Sequence, residues 1–138
     1  MSTIQDHADA GLNLLRADPG LTVHDGEVAD GSPDHYVLVY TFRLRPDGLV
    51  APDKIPLTGQ SVAVDMRMYC HCVGTTAMAA RAIQGRVEAL LLDVTPVVPG
   101  RECGMIRLLD GQQGSRNEQT LTGVFDNVDV YGWTSVPG

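Results

Sequence analysis

The sequence predicts an α+β fold, in which a mostly antiparallel sheet carries two helices on one face, in the order α-β-β-β-α-β-β. Two segments have apolar residues at helical spacing, and the stretches between and after them are typical of strands. The clearest alternation of apolar and polar residues runs from Ser61 to Val73, as expected of an antiparallel strand with one covered face. A length of 138 residues suits one domain over 1–138.

The first helix is predicted from about Thr3 to Ala17, where Pro19-Gly20 ends it. One stripe of the helix is expected to face the core: Ile4, Ala8, Gly11, Leu12 and Leu15. The solvated face is expected to carry Asp6, His7, Asp9, Asn13 and Arg16.

A short extended stretch, Leu21 to Val23, leads into an acidic loop from Asp25 to Asp34. Tyr36 to Arg43 is rich in β-branched and aromatic residues and is predicted to be a strand. Its apolar residues occupy both parities, so we expect a helix or a neighbouring subunit to cover both of its faces. Three prolines make Leu44 to Gly59 a long irregular loop.

The central strand, Ser61 to Val73, alternates in two sets. One side is expected to carry Val62, Val64, Met66, Met68, Cys70 and Cys72, and the other Ala63, Asp65, Arg67, Tyr69 and His71. Gly74 ends the strand, and Thr75 or Thr76 is expected to cap a helix that continues to about Leu92.

Within this second helix the predicted buried stripe is Ala79, Ala80, Ile83, Val87, Leu90 and Leu91, and Arg81, Gln84 and Glu88 are expected on the opposite side. Gly85 is costly inside a helix, so we expect a close contact against it. The rest of the chain is predicted as a strand from Met105 to Leu109, a polar loop from Asp110 to Thr122, and a final strand from Val124 to Val136.

Composition excludes several classes of protein. Ten basic and 17 acidic residues give a formal net charge of −7, which disfavours binding to a phosphate backbone. A hydrophobic fraction of 43% excludes wholesale disorder. The sequence has no apolar run long enough to span a membrane, and its acidic start is unlike an export signal. Three cysteines, an odd number, indicate reduced thiols in a cytosolic compartment.

Two motifs suggest a metal site, but the spacing of their residues does not match that of zinc or calcium ligands. Cys70 and Cys72 share one strand face while His71 points away, and a second pair of zinc ligands is missing, so both thiols are predicted to be buried and apolar. Counted from Asp25, the acidic loop lacks the ligands of a calcium-binding loop and is predicted to be a solvated turn. We therefore expect no catalytic, cofactor or metal site, and no enzyme.

Two segments carry a resemblance to a known family. Cys72–Thr76 (CVGTT) ends a strand in a glycine turn, and Gly85–Leu91 (GRVEALL) lies in the helix that follows. Upstream, Pro19–Val23 (PGLTV), an acidic turn at Asp25–Val28 and the strand at Tyr36–Tyr40 occur in the same order. This arrangement resembles the tail terminator proteins of actinobacterial siphophages, although the proline-rich loop replaces an Arg/Asp-rich run.

The resemblance implies a structural protein of the virion. Such a subunit forms a ring, expected to be a hexamer, which caps the tail tube and joins it to the head. The implied partners are further copies of the chain, the major tail tube protein and a head-closure or neck protein. Genomic DNA passes through the ring without specific binding, and the ring is assembled in the host cytoplasm.

Within that interpretation two sets of residues have candidate roles. The subunit interface is expected to include Arg43, Arg45, Lys54, Asp65, Arg67, Tyr69 and His71. The channel lining is expected to include Asp25, Glu27, Asp30, Asp34 and Asp110, since a negative wall repels DNA phosphates. For any single residue, an ordinary solvated surface is the alternative.

Two other functions stay open on the sequence. One is another neck component, such as a head-closure or tail-completion protein. The other is a small cytosolic binding module that uses an open sheet face for a ligand.

Overall fold

The computed structural model describes residues 4–44, 63–112 and 124–138. The elements are α1 (Ile4–Arg16), β1 (Val23–Asp25), β2 (Tyr36–Arg43), β3 (Val64–Gly74), α2 (Ala77–Leu91), β4 (Arg101–Cys103), β5 (Arg107–Gln112) and β6 (Phe125–Pro137). The predicted fold class is confirmed, with one short strand, β4, that the sequence pattern did not reveal. In the described part of the chain, neither helix has the length and apolar character needed to cross a membrane.

Local chemistry sets the ends of the helices. Thr76 is the N-cap of α2, and its side chain accepts a hydrogen bond from the backbone N–H of Ala79 at 3.0 Å, so the second of the two predicted capping threonines is the one used. After α1, the carboxylate of Asp18 accepts from the backbone N–H of Gly20 and from Arg86 of α2 at 2.7 Å. This ion pair ties the turn after α1 to the second helix.

The sheet has the strand order β1-β2-β3-β6-β4, and β5 also pairs with β6. Every pairing is antiparallel except that of β1 with β2. β4 pairs with the end of β6 and β5 with its middle, so the two short strands occupy successive parts of one edge. The loop predicted to begin at Asp110 was placed wrongly, because β5 continues to Gln112; the remainder of that loop, 113–122, lies outside the described residues.

The covered face of the sheet is the face on which both helices pack. Met66, Met68, Cys70 and Cys72 of β3 are all 0% exposed, as the alternation predicted. Met68 pairs with Tyr131 of β6. A Cβ at Gly11 of α1 would lie 3.0 Å from the sulfur of Met68, so glycine lets the helix approach the sheet closely.

Within the described chain, strand β2 is covered on one side only, whereas the sequence predicts that a helix or a neighbouring subunit covers both faces. Val37 and Val39 are 0% exposed, whereas Tyr40 and Phe42 are exposed. Within the described chain the second face has no covering element; cover by a neighbouring subunit stays a prediction.

Three helical residues lie where the spacing did not predict them. Ile4 is 47% exposed, whereas His7, expected on the solvated face of α1, is buried. The ring Nε2 of His7 lies 2.9 Å from the hydroxyl of Ser135 in β6. In α2, Gln84 faces the sheet and donates to Asp129 at 3.1 Å. His7 and Gln84 therefore face the sheet because polar partners remote in sequence form hydrogen bonds with them.

Candidate functional site

The side of the sheet opposite the helices is the open face. Its side chains are Tyr36, Leu38, Tyr40 and Phe42 of β2, Asp65, Arg67, Tyr69 and His71 of β3, and Asp126, Val128, Val130 and Thr134 of β6. The sequence holds one Trp, four Tyr and two Phe, and four of these seven aromatic side chains lie on this face. Aromatic residues are enriched at the centres of protein interfaces.

The aromatic side chains of the open face contact one another across strands. The ring centroids of Phe42 and Tyr69 are 5.3 Å apart, and those of Tyr40 and His71 are 5.6 Å apart. Such cross-strand pairs hold side chains in place before any partner arrives. Tyr40, Phe42 and Tyr69 are nevertheless each about two-fifths exposed, so they form a preorganised apolar surface in contact with water.

Polar contacts are distributed around this aromatic centre. At one end, His71 Nδ1 lies 3.0 Å from a carboxylate oxygen of Asp126. At the other end, the hydroxyl of Thr134 donates to Asp65 at 2.8 Å. Between them, the guanidinium of Arg67 donates to the carbonyl oxygen of Met66 at 3.2 Å. The open face therefore has a carboxylate near each end and an arginine toward the Asp65 end.

Gly132 of β6 leaves room for neighbouring side chains in the middle of the open face. A Cβ at this position would lie 2.6 Å from Leu109 and 2.9 Å from the guanidinium of Arg67. Glycine therefore lets both side chains lie across β6. A glycine inside a predicted strand signals such a close approach, but the sequence does not say which side chains use it.

The structure brings four predicted interface residues together. Asp65, Arg67, Tyr69 and His71 all lie on the open face. Arg43 does not, because it pairs with buried Met66 and shares the parity of Val37 and Val39 on the covered side. Arg45 and Lys54 lie outside the described residues. The interface role of the set stays a prediction.

Sequence reasoning missed the contribution of β2 to this face. Tyr40 and Phe42 belong to a strand whose two faces the sequence predicts to be covered by a helix or a neighbouring subunit, and neither is in the predicted interface set. The signal was present, because the even-numbered positions from 36 to 42 are Tyr, Leu, Tyr and Phe. Burial of the odd-numbered Val37 and Val39 by α1 is what leaves the even positions open.

The acidic residues predicted to line a channel lie at two places. Asp25, Glu27, Asp30 and Asp34 are exposed between β1 and β2, at one edge of the sheet. Asp110 is exposed in β5, at the opposite edge. The first four residues belong to one stretch of the chain, 25–34, and Asp110 is separate from it. Gly26 and Gly31 shape the loop with φ values of 79° and 77°.

The cysteines occupy the covered face, as predicted. Cys70 and Cys72 are 0% exposed, and burial raises the pKa of both thiols, which keeps them neutral. His71 lies on the open face. Among the residues that the structure describes, no group of three or more His, Cys, Asp or Glu side chains is placed to hold a metal ion.

One His–Ser pair has the geometry of a catalytic contact but not its accessibility. The hydroxyl of Ser135 lies 2.9 Å from His7 and accepts from Arg101 Nε at 2.9 Å. Ser135 is 0% exposed, so a substrate would not reach its oxygen. The contact links α1, β4 and β6, and its role is structural.

A second polar cluster lies between α2 and the sheet. Gln84 donates to both carboxylate oxygens of Asp129 at 3.1 Å, and Asn127 donates to Gln84 at 2.9 Å. Burial raises the pKa of Asp129, the hydrogen bond from Gln84 opposes this, and nearby Glu88 adds to the rise. These side chains position α2 on β6.

Comparison with known proteins shows a shared fold. No protein-family profile and no curated protein sequence matches the chain. A solved chain from the virion of a native gene transfer agent particle has the same fold at a TM-score of 0.66, with 18% identity over 94% of this chain and 93% of that one. A second solved structure matches at a TM-score of 0.55, with 14% identity over 95% and 94% of the two chains.

Proposed function

We propose that this protein is a structural component of a phage-like virion and forms a ring, expected to be a hexamer, that ends the tail tube and joins it to the head. The observation that carries the proposal is the end-to-end fold match to a chain of a gene transfer agent virion. The resemblance of Cys72–Thr76 and Gly85–Leu91 to tail terminators supports the same assignment independently of the fold.

The open face supports assembly rather than catalysis. It is broad, aromatic and preorganised, and Arg67 lies beside the aromatic rings; Tyr and Arg are the residue types that contribute most to binding in protein interfaces. We assign this face to a contact between subunits, with Asp65, Arg67, Tyr69 and His71 joined by Tyr40 and Phe42.

The remaining partners follow from the position of such a ring in a virion. Its two ends would meet the major tail tube protein and a head-closure or neck protein, after assembly in the host cytoplasm. DNA would pass through the opening. The acidic loop from Asp25 to Asp34 is assigned to the channel wall, where carboxylates repel phosphates, and Asp110 is a second candidate. Arginines dominating that wall would contradict the assignment.

The test is the mass of the purified protein in solution, measured by light scattering over a range of concentrations. We expect a mass that is a fixed multiple of one chain. Replacing exposed aromatic residues of the open face, as in Tyr40→Ser with Tyr69→Ser, should dissociate the assembly. Val97→Ser is the matched control, because Val97 is 85% exposed and belongs to the segment between α2 and β4, outside the strands that form this face. A wild-type chain that stays monomeric and never enters particles would overturn the ring.

Another neck component, such as a head-closure or tail-completion protein, is the second candidate, because the fold match to a virion chain supports it equally. Imaging of intact particles with an antibody against the chain would separate the two, since each neck ring occupies its own level.

A further inference from the structure

The outward side of α2 carries an apolar ridge. Met78, Ala82, Gly85 and Ala89 follow one another at spacings of four, three and four residues, so they form one line along the helix. All four are exposed, Met78 by 77%. The ridge lies opposite the buried stripe formed by Ala80, Ile83, Val87 and Leu91. The helix is therefore apolar on two opposite sides, whereas a solvated face is normally polar.

Gly85 has no packing role within its own subunit. A Cβ at this position would meet nothing within 4 Å, so the close contact expected from the sequence is not made inside the described chain. A glycine in an exposed helix interior costs about 1 kcal/mol relative to alanine. This cost is explained if another chain packs closely on the ridge.

Ring closure needs two different surfaces on each subunit, because a head-to-tail contact joins one patch to another. The ridge and the open face lie on opposite sides of the two-layer fold, since α2 packs on the covered face of β3 and β6. Resting on the ring proposed above, we infer that the ridge of one subunit packs on the open face of the next. The low ridge at Ala82 and Gly85 then accepts the projecting rings of Tyr40, Phe42 and Tyr69.

Charge favours one direction of this contact. Arg81 and Glu88 are exposed along one flank of the ridge, about 10 Å apart at the rise of an α-helix. On the open face, Arg67 and the His71–Asp126 pair are about 13 Å apart along the strand. Placing Glu88 at Arg67 and Arg81 at Asp126 makes both contacts attractive, and the reverse direction brings like charges together.

Cross-linking with a short bismaleimide tests the contact and its direction. The starting chain carries Cys103→Ser, and Cys70 and Cys72 are 0% exposed and so protected from reaction. The double variant Asp65→Cys with Ala89→Cys places thiols at matching ends and should give a ladder of linked chains up to the full ring. The control, Asp65→Cys with Met78→Cys, places them at opposite ends and should give no ladder.

A bulky charge on the ridge provides a second test. Gly85→Arg should preserve the helical circular dichroism of the subunit and lower the mass in solution to that of one chain. Asn13→Arg, on the exposed side of α1, should leave the ring intact. This inference is overturned, while the proposed ring stands, if the ring survives Gly85→Arg or if Asn13→Arg dissociates it equally. It is also overturned if cross-linking yields dimers alone, no ladder, or a ladder in the control variant. A monomeric wild type overturns the proposed function itself.

Discussion

At the scale of single residues, polar side chains under the helices decide how α1 and α2 lie on the sheet. His7 meets Ser135, and Gln84 meets Asp129, across separations of 128 and 45 residues in sequence. Each contact satisfies polar atoms that burial would otherwise leave without water. Burial nevertheless disfavours the charged form of Asp129.

Asp129 should make the stability of the fold depend on pH. Because burial raises the pKa of its carboxyl above the unfolded value, the folded chain holds this proton to higher pH than the unfolded chain does. Its contribution to the free energy of unfolding therefore falls as pH rises through the folded pKa. Asp129→Asn should remove that fall, so that wild type loses stability relative to the variant as pH rises above the unfolded carboxyl pKa of about 4.

Urea unfolding of both proteins across this pH range measures the difference. Glu102→Gln is the control, since Glu102 is an exposed carboxylate in β4. Parallel stability curves for wild type and Asp129→Asn would contradict the role assigned to burial.

At the scale of elements, the glycine before α2 and the glycine within α2 have different surroundings. Gly74, at the turn before the helix, would place a Cβ 2.7 Å from the backbone nitrogen of Ala80, so glycine is required for the strand to pass into the helix. Gly85 is unconstrained on the outward side. The same residue type therefore serves chain geometry at one position and leaves an open surface at the other.

Alanine at these two positions should have opposite effects on the dissociated subunit. Gly85→Ala should raise the free energy of unfolding by up to about 1 kcal/mol, because alanine is the better helix former and its methyl group meets open space. Gly74→Ala should lower it, because the methyl group collides with the backbone. Chemical unfolding at concentrations below assembly measures both, and a destabilised Gly85→Ala would contradict this description of the helix.

At the scale of the whole molecule, the chain is a two-layer structure with one covered and one open sheet face. The covered face holds the buried core, including Leu12 and Leu15 of α1, Val87 of α2 and Trp133 of β6. On the open face, Tyr40, Phe42 and Tyr69 are each about two-fifths exposed to water. A small domain with a single core should unfold as one unit.

We expect one cooperative unfolding transition for the domain predicted over 1–138. Trp133 is the sole tryptophan and is 3% exposed, so its fluorescence reports the contact between α1 and the sheet. Far-UV circular dichroism reports the helices and strands together. The two denaturation curves should coincide in the dissociated subunit, and a Trp133 transition that precedes the loss of secondary structure would contradict a single cooperative unit.

Periodicity determined much of the fold. The sequence by itself gave β2 its bounds, put the two cysteines of β3 inside and His71 outside, and placed both helices to within about two residues. These features are local, since a side chain every second or every third to fourth residue returns to the same face whatever the rest of the chain does. The short β4 and the extension of β5 escaped this reasoning, because both are strands only through pairing with β6.

Tertiary structure decided the part of the candidate site that lies outside β3. Which face of β2 α1 covers determines whether Tyr40 and Phe42 are core or surface, and local periodicity does not contain that choice. Pairing of β2, β3 and β6 brings Tyr40, Tyr69 and Asp126 onto one surface and leaves Arg43 on the other side. The physical reason is that contact between distant strands depends on register and helix packing, which arise only when the whole chain has folded.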